Sequence, residues 1–513
     1  MTILIVGAGT AGLTLARSLA QQGRKFLVFD AKSKAMRSND RGLGLWGRSQ
    51  AVLSTLGLSE LLGFRIPAAA YRSRHGDWLS ASSDTAANHT RVSTLLESDL
   101  LAALEDGLPA GSVRRGAELV HVQATTDRVA LTFADGSRVE GSAVVGADGV
   151  RSSVRRLLTF GGSGSSAVDT GYVAHSGLVL AGSGAPANLG GSVHRATALD
   201  GTGGGEGDLA AALMRNSAPV CGSEEDGGGG SGSGGGRGWA SGANESTTRG
   251  ASANSGTYFS TPPTAASVGA HAFETLSQGR RFAMVPLANG GAFWFATRQA
   301  SEGSPGEGTS GTALRLLREA YDGWHQPIPK VLHFAACAAA EAAMGGPSSS
   351  SLGVPRFERL FMAPKLSTWH SRRAVLVGDA AHALPINLAQ GAAMGIEGAY
   401  LLGEALGRLE YRSGGGGEAG FDEGYVCETE LSAAFSEYQA LHEPRVRQCR
   451  TLTAFTELLA KPASPLAEGV RDAMRFVPQP LNGFIFDSAL QLSLGDQPRS
   501  TRAKWPLAIT CNA

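Results

Sequence analysis

Glycine and aspartate residues with the spacing of a phosphate-binding turn stand at the start of the chain. Ile3 to Val6 form a short apolar run, and Gly7-Ala8-Gly9-Thr10-Ala11-Gly12 follows it directly. In such a turn the first glycine permits the sharp bend, the second lets the backbone approach a pyrophosphate, and the third lets the next helix pack on the strand. The spacing therefore predicts a strand, a turn and a helix that bind an adenine dinucleotide.

The residues after this turn agree with that interpretation. Leu13, Ala16 and Leu19 recur at helical spacing, and Lys25 to Phe29 form a second apolar run that ends at Asp30. An acid about 20 residues beyond the turn can accept hydrogen bonds from ribose hydroxyls, which suits FAD or NAD and disfavours NADP. A second match to the glycine spacing, at 227–232, lies in a polyglycine tract with no strand before it. We predict no ligand there.

Two further apolar runs end in glycine and aspartate. The first, at 142–146, leads to Asp148 and Gly149, and the second, at 373–377, leads to Gly378 and Asp379. Ligands of open α/β sheets bind at the carboxyl ends of the strands, so both pairs are candidate cofactor contacts. A glycine-rich turn at 390–395 then opens a long helix, whose N-terminus would present amide donors to the negative charge of a reduced flavin. The alternative is an ordinary strand-to-helix connection.

The middle of the chain predicts further β-structure. Leu119 to Gln123, Val129 to Phe133 and Arg138 to Gly141 form a β-meander pattern, while 281–287 and 292–296 form a hairpin pattern. Between about 184 and 275 the composition changes to Gly, Ser, Ala and Thr. Such a segment cannot bury enough apolar surface to offset its ordering entropy, so we predict a disordered insertion without chemistry.

Composition restricts the class of protein. Lys+Arg and Asp+Glu each number 45 in 513 residues, so nothing indicates a nucleic-acid partner. Five scattered cysteines show no metal-ligand or disulfide spacing, which favours a reducing compartment and predicts no metal site. No apolar run reaches the roughly 18 residues of a membrane span, and we expect no signal or transit peptide before the first strand. We expect a cytoplasmic protein, unless a truncated N-terminus once carried an organelle address. The sequence makes no prediction about oligomeric state.

The three strand ends GAGTAG, GADG and GDAAH, in this order and spacing, resemble the single-component FAD-dependent aromatic hydroxylases that are similar to para-hydroxybenzoate hydroxylase. The resemblance continues in TGYVAHSGLV, FAMVPLANGGAFWFAT, YDGWHQPIPKVL and LSTWHSRRAVLVGDAAH. It implies an α/β fold with a discontinuous Rossmann-like FAD-binding domain at 1–70, 95–160 and 365–415. A β-sheet substrate domain at 71–94 and 165–355 would contain the insertion, and helices would fill 425–513.

The resemblance also implies roles for individual residues. The first motif with Asp30 would hold the ADP part of FAD, Asp148 and Gly149 would serve both FAD and the pyridine nucleotide, and Gly378 and Asp379 would contact ribityl and pyrophosphate. The segments expected along the isoalloxazine are Pro385 and Gly391, Ala392, Ala393 and Met394. Arg41 either contacts the cofactor phosphates or ribose or is a solvated loop arginine.

The implied activity is that of a monooxygenase. NAD(P)H would reduce FAD, O2 would add at C4a, and the hydroperoxide would hydroxylate or epoxidise a small aromatic or cyclic substrate. The cofactor carries this chemistry, so we name no catalytic side chain. His382 beside the third motif is an acid/base candidate, although a structural hydrogen-bonding role is commoner at such a turn. Two alternatives stay open: a flavin reductase or dehydrogenase without oxygen insertion, and a non-catalytic homologue that binds FAD weakly.

Three positions depart from the family pattern. Many relatives have Arg where this chain has Glu97, Asp is common at the position of Gly398, and Arg is frequent at the position of Ser176. These departures bear on cofactor affinity and on the type of substrate.

Overall fold

The computed structural model describes residues 1–33, 41–61, 63–66, 69–81, 92–158, 166–179, 272–277, 279–288, 291–300, 310–344, 354–385, 389–409, 426–460 and 465–477. Its strands are β1 (Thr2–Val6), β2 (Lys25–Asp30), β3 (Gly42–Leu45), β4 (Phe64–Arg65), β5 (Ala69–Ser73), β6 (Trp78–Ala81), β7 (Ser93–Leu96), β8 (Val113–Arg115), β9 (Leu119–Ala124), β10 (Val129–Phe133), β11 (Arg138–Gly141), β12 (Ala143–Gly146), β13 (Val168–Val179), β14 (Ala272–Ser277), β15 (Arg280–Pro286), β16 (Ala292–Gln299), β17 (Arg356–Met362), β18 (His370–Ser371) and β19 (Ala374–Leu376). Its helices are α1 (Thr10–Gln21), α2 (Gly47–Thr55), α3 (Glu97–Glu105), α4 (Ser153–Leu157), α5 (Ser310–Ala320), α6 (Ile328–Ala343), α7 (Asp379–His382), α8 (Gly391–Gly407), α9 (Glu428–Ala460) and α10 (Pro465–Asp472), and a 3-10 turn spans Ala473–Phe476.

A six-stranded sheet contains the strands that lead to the three glycine–aspartate motifs. Its order is β18-β19-β12-β1-β2-β8, and every pair is parallel except β18 with β19. Ile3 lies between Phe26 of β2 and Ala143 of β12. The central strands are buried on both faces, which explains their nearly continuous apolar sequence. The predicted Rossmann-like α/β fold is confirmed.

Helices α1 and α8 pack together over this sheet. A β-carbon at Gly403 of α8 would stand 2.4 Å from the Ser18 hydroxyl of α1, so small residues permit the close approach of the two helices. The main core joins both helices to the sheet and to helix α9. Since α1 and α8 begin at the same edge of the sheet, their N-termini lie near the strand ends.

The second large sheet has seven strands in the order β17-β13-β16-β15-β14-β5-β6. One face packs on helices α5 and α6 through a core that includes Phe282, Trp294 and Tyr321. The predicted hairpin is confirmed as β15 with β16, and the predicted meander as the three-stranded sheet β9-β10-β11. The chain therefore builds two unlike layers, one parallel and one mainly antiparallel.

All strands of the six-stranded sheet lie within the segments predicted for FAD binding. The seven-stranded sheet begins at Ala69 and includes β17, so it extends slightly beyond the predicted substrate-domain limits. Most of the predicted insertion lies outside the described residues, as does the glycine match at 227–232, while 272–275 belong to β14. No helix within the described ranges combines the length and apolarity needed to cross a membrane.

Candidate active site

A cavity of about 1360 Å³ lies between the carboxyl edge of the parallel sheet and one face of the seven-stranded sheet. Asp30, Asp148 and Asp379 all line it, although they are far apart in sequence. A pocket for one drug-sized ligand has roughly 300–1,000 Å³, so this cavity has room for a large ligand together with a smaller one. The three predicted strand ends therefore border one continuous cleft.

Glycines bring the three motifs into contact. A β-carbon at Gly7 would stand 2.2 Å from the Ala147 carbonyl oxygen beside the second motif, and one at Gly378 would stand 2.9 Å from the Ala11 side chain. A β-carbon at Gly12 would meet the Gly7 carbonyl oxygen at 1.9 Å, so helix α1 can pack on its strand only without a side chain there. Gly7 and Gly378 also have positive φ angles, of 107° and 60°. Glycine is therefore required at these places.

The site also has open positions that suit an anionic cofactor. A β-carbon at Gly9 or at Gly391 would find no protein atom within 4 Å, and both residues line the cavity. No side chain caps the N-terminus of α1 or α8, so their first amides can donate to a ligand. Helix N-termini with uncapped amides favour phosphate groups. The residues present at this edge therefore fit the pyrophosphate of FAD.

The two acids of the first and second motifs are held by backbone amides. Asp30 accepts hydrogen bonds from the amides of Ala8 and Lys32, both at 2.8 Å. Oδ2 of Asp148 accepts from the amide of Ser153 at 2.6 Å, while its Oδ1 is buried and has no hydrogen-bond partner among the described residues. Burial raises the pKa of Asp148 above its usual value. Such an unsatisfied oxygen beside the cavity suits a ligand hydroxyl or amide donor.

The structure separates the predicted cofactor residues into two groups. Ala8, Gly12, Ala393 and Met394 do not line the cavity, and Met394 lies on the buried side of α8 with its sulfur 3.8 Å from the Cys449 sulfur. The contacts of all these residues with a cofactor stay predictions. The predicted residues that line the cavity are Gly7, Gly9, Thr10, Ala11, Asp30, Arg41, Asp148, Gly149, Gly378, Asp379, Pro385, Gly391 and Ala392.

Arg41 lines the cavity and forms ion pairs with two glutamates, while its contact with a cofactor stays a prediction. Its Nε donates to Oε2 of Glu97 at 2.9 Å, and its Nη1 lies 3.4 Å from Oε1 of Glu358. All three residues line the cavity with Asp379. Asp379 is exposed to the cavity, yet the surrounding protein is close enough that desolvation raises its pKa, an effect that Arg41 opposes. The unexpected anion at Glu97 is therefore paired with Arg41.

A second charged cluster lies behind helix α8. Glu397 and Arg445 are fully buried, with Oε2 of Glu397 3.6 Å from Nε of Arg445. Nη2 of Arg445 donates to Oε1 of Gln390 at 3.1 Å, and Gln390 also lines the cavity. A larger residue at position 398 would clash with helix α9, because a β-carbon there would stand 2.8 Å from Nε2 of His442.

His382 belongs to this buried region and does not line the cavity. Its ring packs against Trp369 and against His442, with ring centroids 5.3 Å and 5.1 Å apart. Burial lowers the pKa of His382 to about 3, so the ring is neutral. A packing role therefore fits this histidine better than proton transfer. Within the described residues, no group of His, Cys, Asp and Glu is arranged to hold a metal ion.

Sequence reasoning missed the wall opposite the strand ends. The residues of the seven-stranded sheet that face the cavity include Tyr71, Glu274, Ala283, Phe295 and Glu358. Period-2 alternation places Phe293 and Phe295 on this face and Trp294 on the other, but the pattern alone does not show which face meets the cofactor. The sequence around Arg41 and Arg445 likewise does not indicate which acids pair with them.

Comparison with known proteins adds a family to this geometry. The family model described as FAD binding domain matches residues 1–179. The Aurachin C monooxygenase/isomerase of Stigmatella aurantiaca is 24% identical over 453 residues, which are 87% of this chain and 86% of that protein. The 2-heptyl-3-hydroxy-4(1H)-quinolone synthase of Pseudomonas aeruginosa is 35% identical over 162 residues, covering 31% of this chain and only 42% of that protein.

Solved structures share the fold over nearly the whole chain. The HpxO structure of Klebsiella pneumoniae, complexed with FAD and uric acid, superposes with a TM-score of 0.64 at 17% identity and covers 96% of this chain and 97% of its own. A salicylate hydroxylase substrate complex superposes with a TM-score of 0.59 at 18% identity and covers 96% and 98%. Residues 1–179 therefore match an FAD binding domain, and the chain as a whole shares the fold of the HpxO and salicylate hydroxylase structures.

Proposed function

We propose that the protein uses NAD(P)H and O2 to hydroxylate or epoxidise a small aromatic or cyclic substrate in the cavity between its two sheets. One oxygen atom enters the product, the other leaves as water, and NAD(P)H provides the two electrons. The observation that carries this proposal is the continuity of the cavity, which joins the three strand-end motifs to a largely apolar sheet face. The names of relatives agree, since they include 3-amino-4-hydroxybenzoate 2-monooxygenases and rifampicin monooxygenases.

The strand ends would hold FAD along one edge of the cavity. Gly9 and the N-terminus of α1 would bind the pyrophosphate, and Asp30 would accept from a ribose hydroxyl. Asp379 would contact the ribityl region, and Gly391 with the N-terminus of α8 would lie near the flavin ring. When bound, FAD supplies the redox chemistry that accepts electrons from NAD(P)H and activates O2. The GAGTAG turn then serves FAD, so NAD(P)H would bind without a Rossmann turn of its own.

The chain's own residues would position the substrate and exclude water. Val285, Leu287, Phe293 and Phe295 line the wall opposite the strand ends. An apolar, water-poor pocket protects a reactive oxygenating centre from hydrolysis and strengthens the electrostatic interactions within it. No described side chain has to transfer a proton for this role. We place the reaction in the cytoplasm, in keeping with five scattered cysteines that lack disulfide spacing.

The test measures NAD(P)H oxidation and O2 consumption together, followed by mass spectrometry of product formed under isotopically labelled O2. The proposal requires substrate-stimulated O2 uptake and one labelled oxygen atom in the product. NAD(P)H oxidation with an unlabelled, reduced or dehydrogenated product would identify a reductase or dehydrogenase instead. A purified protein that takes up no flavin on titration would identify a non-catalytic homologue.

A matched pair of variants tests the assignment of the third motif. Asp379→Ala removes a carboxylate at the proposed cofactor contact, whereas Asp135→Ala removes one from an exposed turn of the meander, where it bonds Ser137. We expect Asp379→Ala to lower the flavin content of the purified protein several-fold and Asp135→Ala to leave it unchanged. Equal flavin content in the two variants would remove Asp379 from the cofactor site.

A further inference from the structure

Backbone pairing places a row of six residues across the seven-stranded sheet, all of them on the cavity face. Tyr71 pairs with Glu274 and Glu274 with Ala283, while Ser176 pairs with both Phe295 and Arg356, and Phe295 with Ala283. Every member of the row lines the cavity. Residues in one row share a face because side chains alternate along each strand. The row therefore forms a continuous floor opposite the strand ends.

The floor is apolar in its centre and polar at its ends. Ala283 and Phe295 are central, and Val285 and Phe293 stand beside them on the same strands. Glu274 and Ser176 are separated by three strand spacings, a distance of about 14 Å at roughly 4.8 Å per spacing. A flat molecule of two fused rings fits within that span. Its apolar body would lie on the central residues, with a polar group at one end.

The polar group at one end of the floor, Glu274, is held in place by an ion pair. Nε of Arg281, which is almost fully buried, donates to its Oε1, and this pair fixes the carboxylate. A carboxylate has acceptor positions on both oxygens, and Glu274 lines the cavity, so it is able to accept a further hydrogen bond from a ligand. Burial, with a further contribution from Glu274, raises the pKa of the adjacent Tyr71 and keeps its phenol protonated. The end of the floor thus combines a fixed acceptor with a neutral hydroxyl.

The charges at the Glu274 end of the floor disfavour an anionic ligand there, whereas Arg356 lies towards the opposite end of the row. Arg281 is committed to Glu274, and Arg41 is shared by Glu97 and Glu358. An aromatic carboxylate would lose its hydration beside Glu274 without gaining an uncommitted cation there, and burying an unpaired charge is costly. An uncharged ring with an N–H or O–H group loses less hydration and gains a charge-assisted hydrogen bond.

We propose that Glu274, fixed by Arg281, anchors an N–H or O–H donor of an uncharged fused-ring aromatic substrate, and that this end of the floor rejects aromatic carboxylates. This inference rests on the proposed function, because only an oxygenase would make the bound ligand a substrate. It assigns the binding step alone to Glu274 and leaves the oxygen chemistry to the cofactor.

The test is calorimetric titration of the flavin-loaded protein, without NAD(P)H, against three probes on one scaffold. 2-Naphthol has a donor, 2-methoxynaphthalene has none, and 2-naphthoate is an anion at neutral pH. We expect 2-naphthol to bind at least about tenfold more tightly than the other two, as one charge-assisted hydrogen bond allows. Equal affinities for naphthol and methoxynaphthalene, or no naphthol binding, would overturn the assignment.

Variants locate the selectivity at Glu274. Glu274→Gln should weaken 2-naphthol binding about tenfold and strengthen 2-naphthoate binding, because the substitution removes an anion from the cavity wall. Glu319→Gln, on the exposed surface of α5, should change neither affinity. Unchanged selectivity in a folded Glu274→Gln protein contradicts the proposal. If that variant melts early, Glu274→Asp decides, since it retains the charge and must still reject 2-naphthoate while it binds 2-naphthol less tightly.

The titration involves no turnover, so its failure differs from failure of the oxygenase. Glu274-dependent naphthol binding in a protein that inserts no labelled oxygen would refute the proposed reaction and leave the anchor in place. If the enzyme forms labelled product but its ligand selectivity does not depend on Glu274, only the proposed role of Glu274 in binding is refuted.

Discussion

One acid–arginine network lines the cavity and another is buried between helices α8 and α9, and the two differ in their contact with solvent. In the cavity network, Arg41 pairs with Glu97 and Glu358, and the three side chains are 38%, 22% and 34% exposed. In the buried network, Arg445 and Glu397 are 1% and 0% exposed. The same pairing chemistry therefore has two consequences. An ion pair at the cavity can exchange one partner for a ligand, whereas the buried ion pair can interact only with other protein groups.

Gln390 joins the buried network to the cavity wall. Its Oε1 accepts hydrogen bonds from Nη2 of Arg445 at 3.1 Å and from the sulfur of Cys449 at 2.8 Å, and the same residue precedes α8 at the cavity wall. The buried network thus fixes the residue from which α8 begins. We infer that the buried network supports the shape of the proposed flavin edge, while the cavity network sets its charge.

The largest expected effect comes from breaking the buried pair. Arg445→Ala leaves the enclosed Glu397 without its ion-pair partner, and loss of one partner from a buried ion pair costs about 3–5 kcal/mol. Urea unfolding followed by circular dichroism measures this loss of unfolding free energy. Arg447→Ala is the control, since Arg447 lies on the same helix, is 71% exposed and pairs with Glu443. We expect the control to change stability by less than about 1 kcal/mol. Similar losses in both variants would show that burial does not distinguish the networks.

The sequence revealed the cavity network only in part, and the buried one hardly at all. Asp30, Asp148 and Asp379 could be predicted because each follows its own apolar strand, which is a local signal. Glu97 could be recognised as unusual, yet its pairing with Arg41 depends on how distant segments meet. The predicted roles of Gly7 and Gly12 agree with their close backbone contacts, because steric demands at a turn are also local.

The floor of the cavity shows why the remainder could not be predicted. Strand β5 pairs in parallel with β14, and this pairing sets Tyr71 beside Glu274 although some two hundred positions separate them in sequence. Neither strand carries a signal for that register, since register depends on the whole sheet and on the face that is buried. The departure at Gly398 likewise becomes understandable only when His442 of helix α9 is seen to fill the space.

A smaller effect on stability should appear on acidification, because two buried histidines lie close to the buried network. Burial lowers the pKa of both His382 and His442, that of His382 to about 3. A histidine with a lowered folded pKa contributes stability above its unfolded value near 6.5, and this contribution is lost as the pH falls below it. We expect each histidine to lower the unfolding free energy by about 1.4 kcal/mol at pH 5.5 relative to neutral pH.

Unfolding measured at pH 7.5 and pH 5.5 separates this effect from general acid sensitivity. His442→Gln should be less stable at pH 7.5, because its ring packs on Trp369 and His382, but should lose less stability on acidification than the unmodified protein. His121→Gln, at an exposed position of β9, should keep the original pH dependence. An identical pH slope in both variants would show that His442 is not the titrating group.

The smallest expected change in stability comes from the cavity network. Glu97→Gln removes one partner of Arg41, but both side chains are partly solvated, so the unfolding free energy of the flavin-free protein should change by less than about 1 kcal/mol. The same substitution removes an anion from a cavity that we propose holds anionic FAD, and it leaves the ion pair of Arg41 with Glu358 in place. FAD dissociation, followed by flavin fluorescence, should therefore slow several-fold, and this gain should shrink at high salt because the charges are solvent-accessible. A large loss of stability with unchanged FAD release would give the cavity network the same structural role as the buried one.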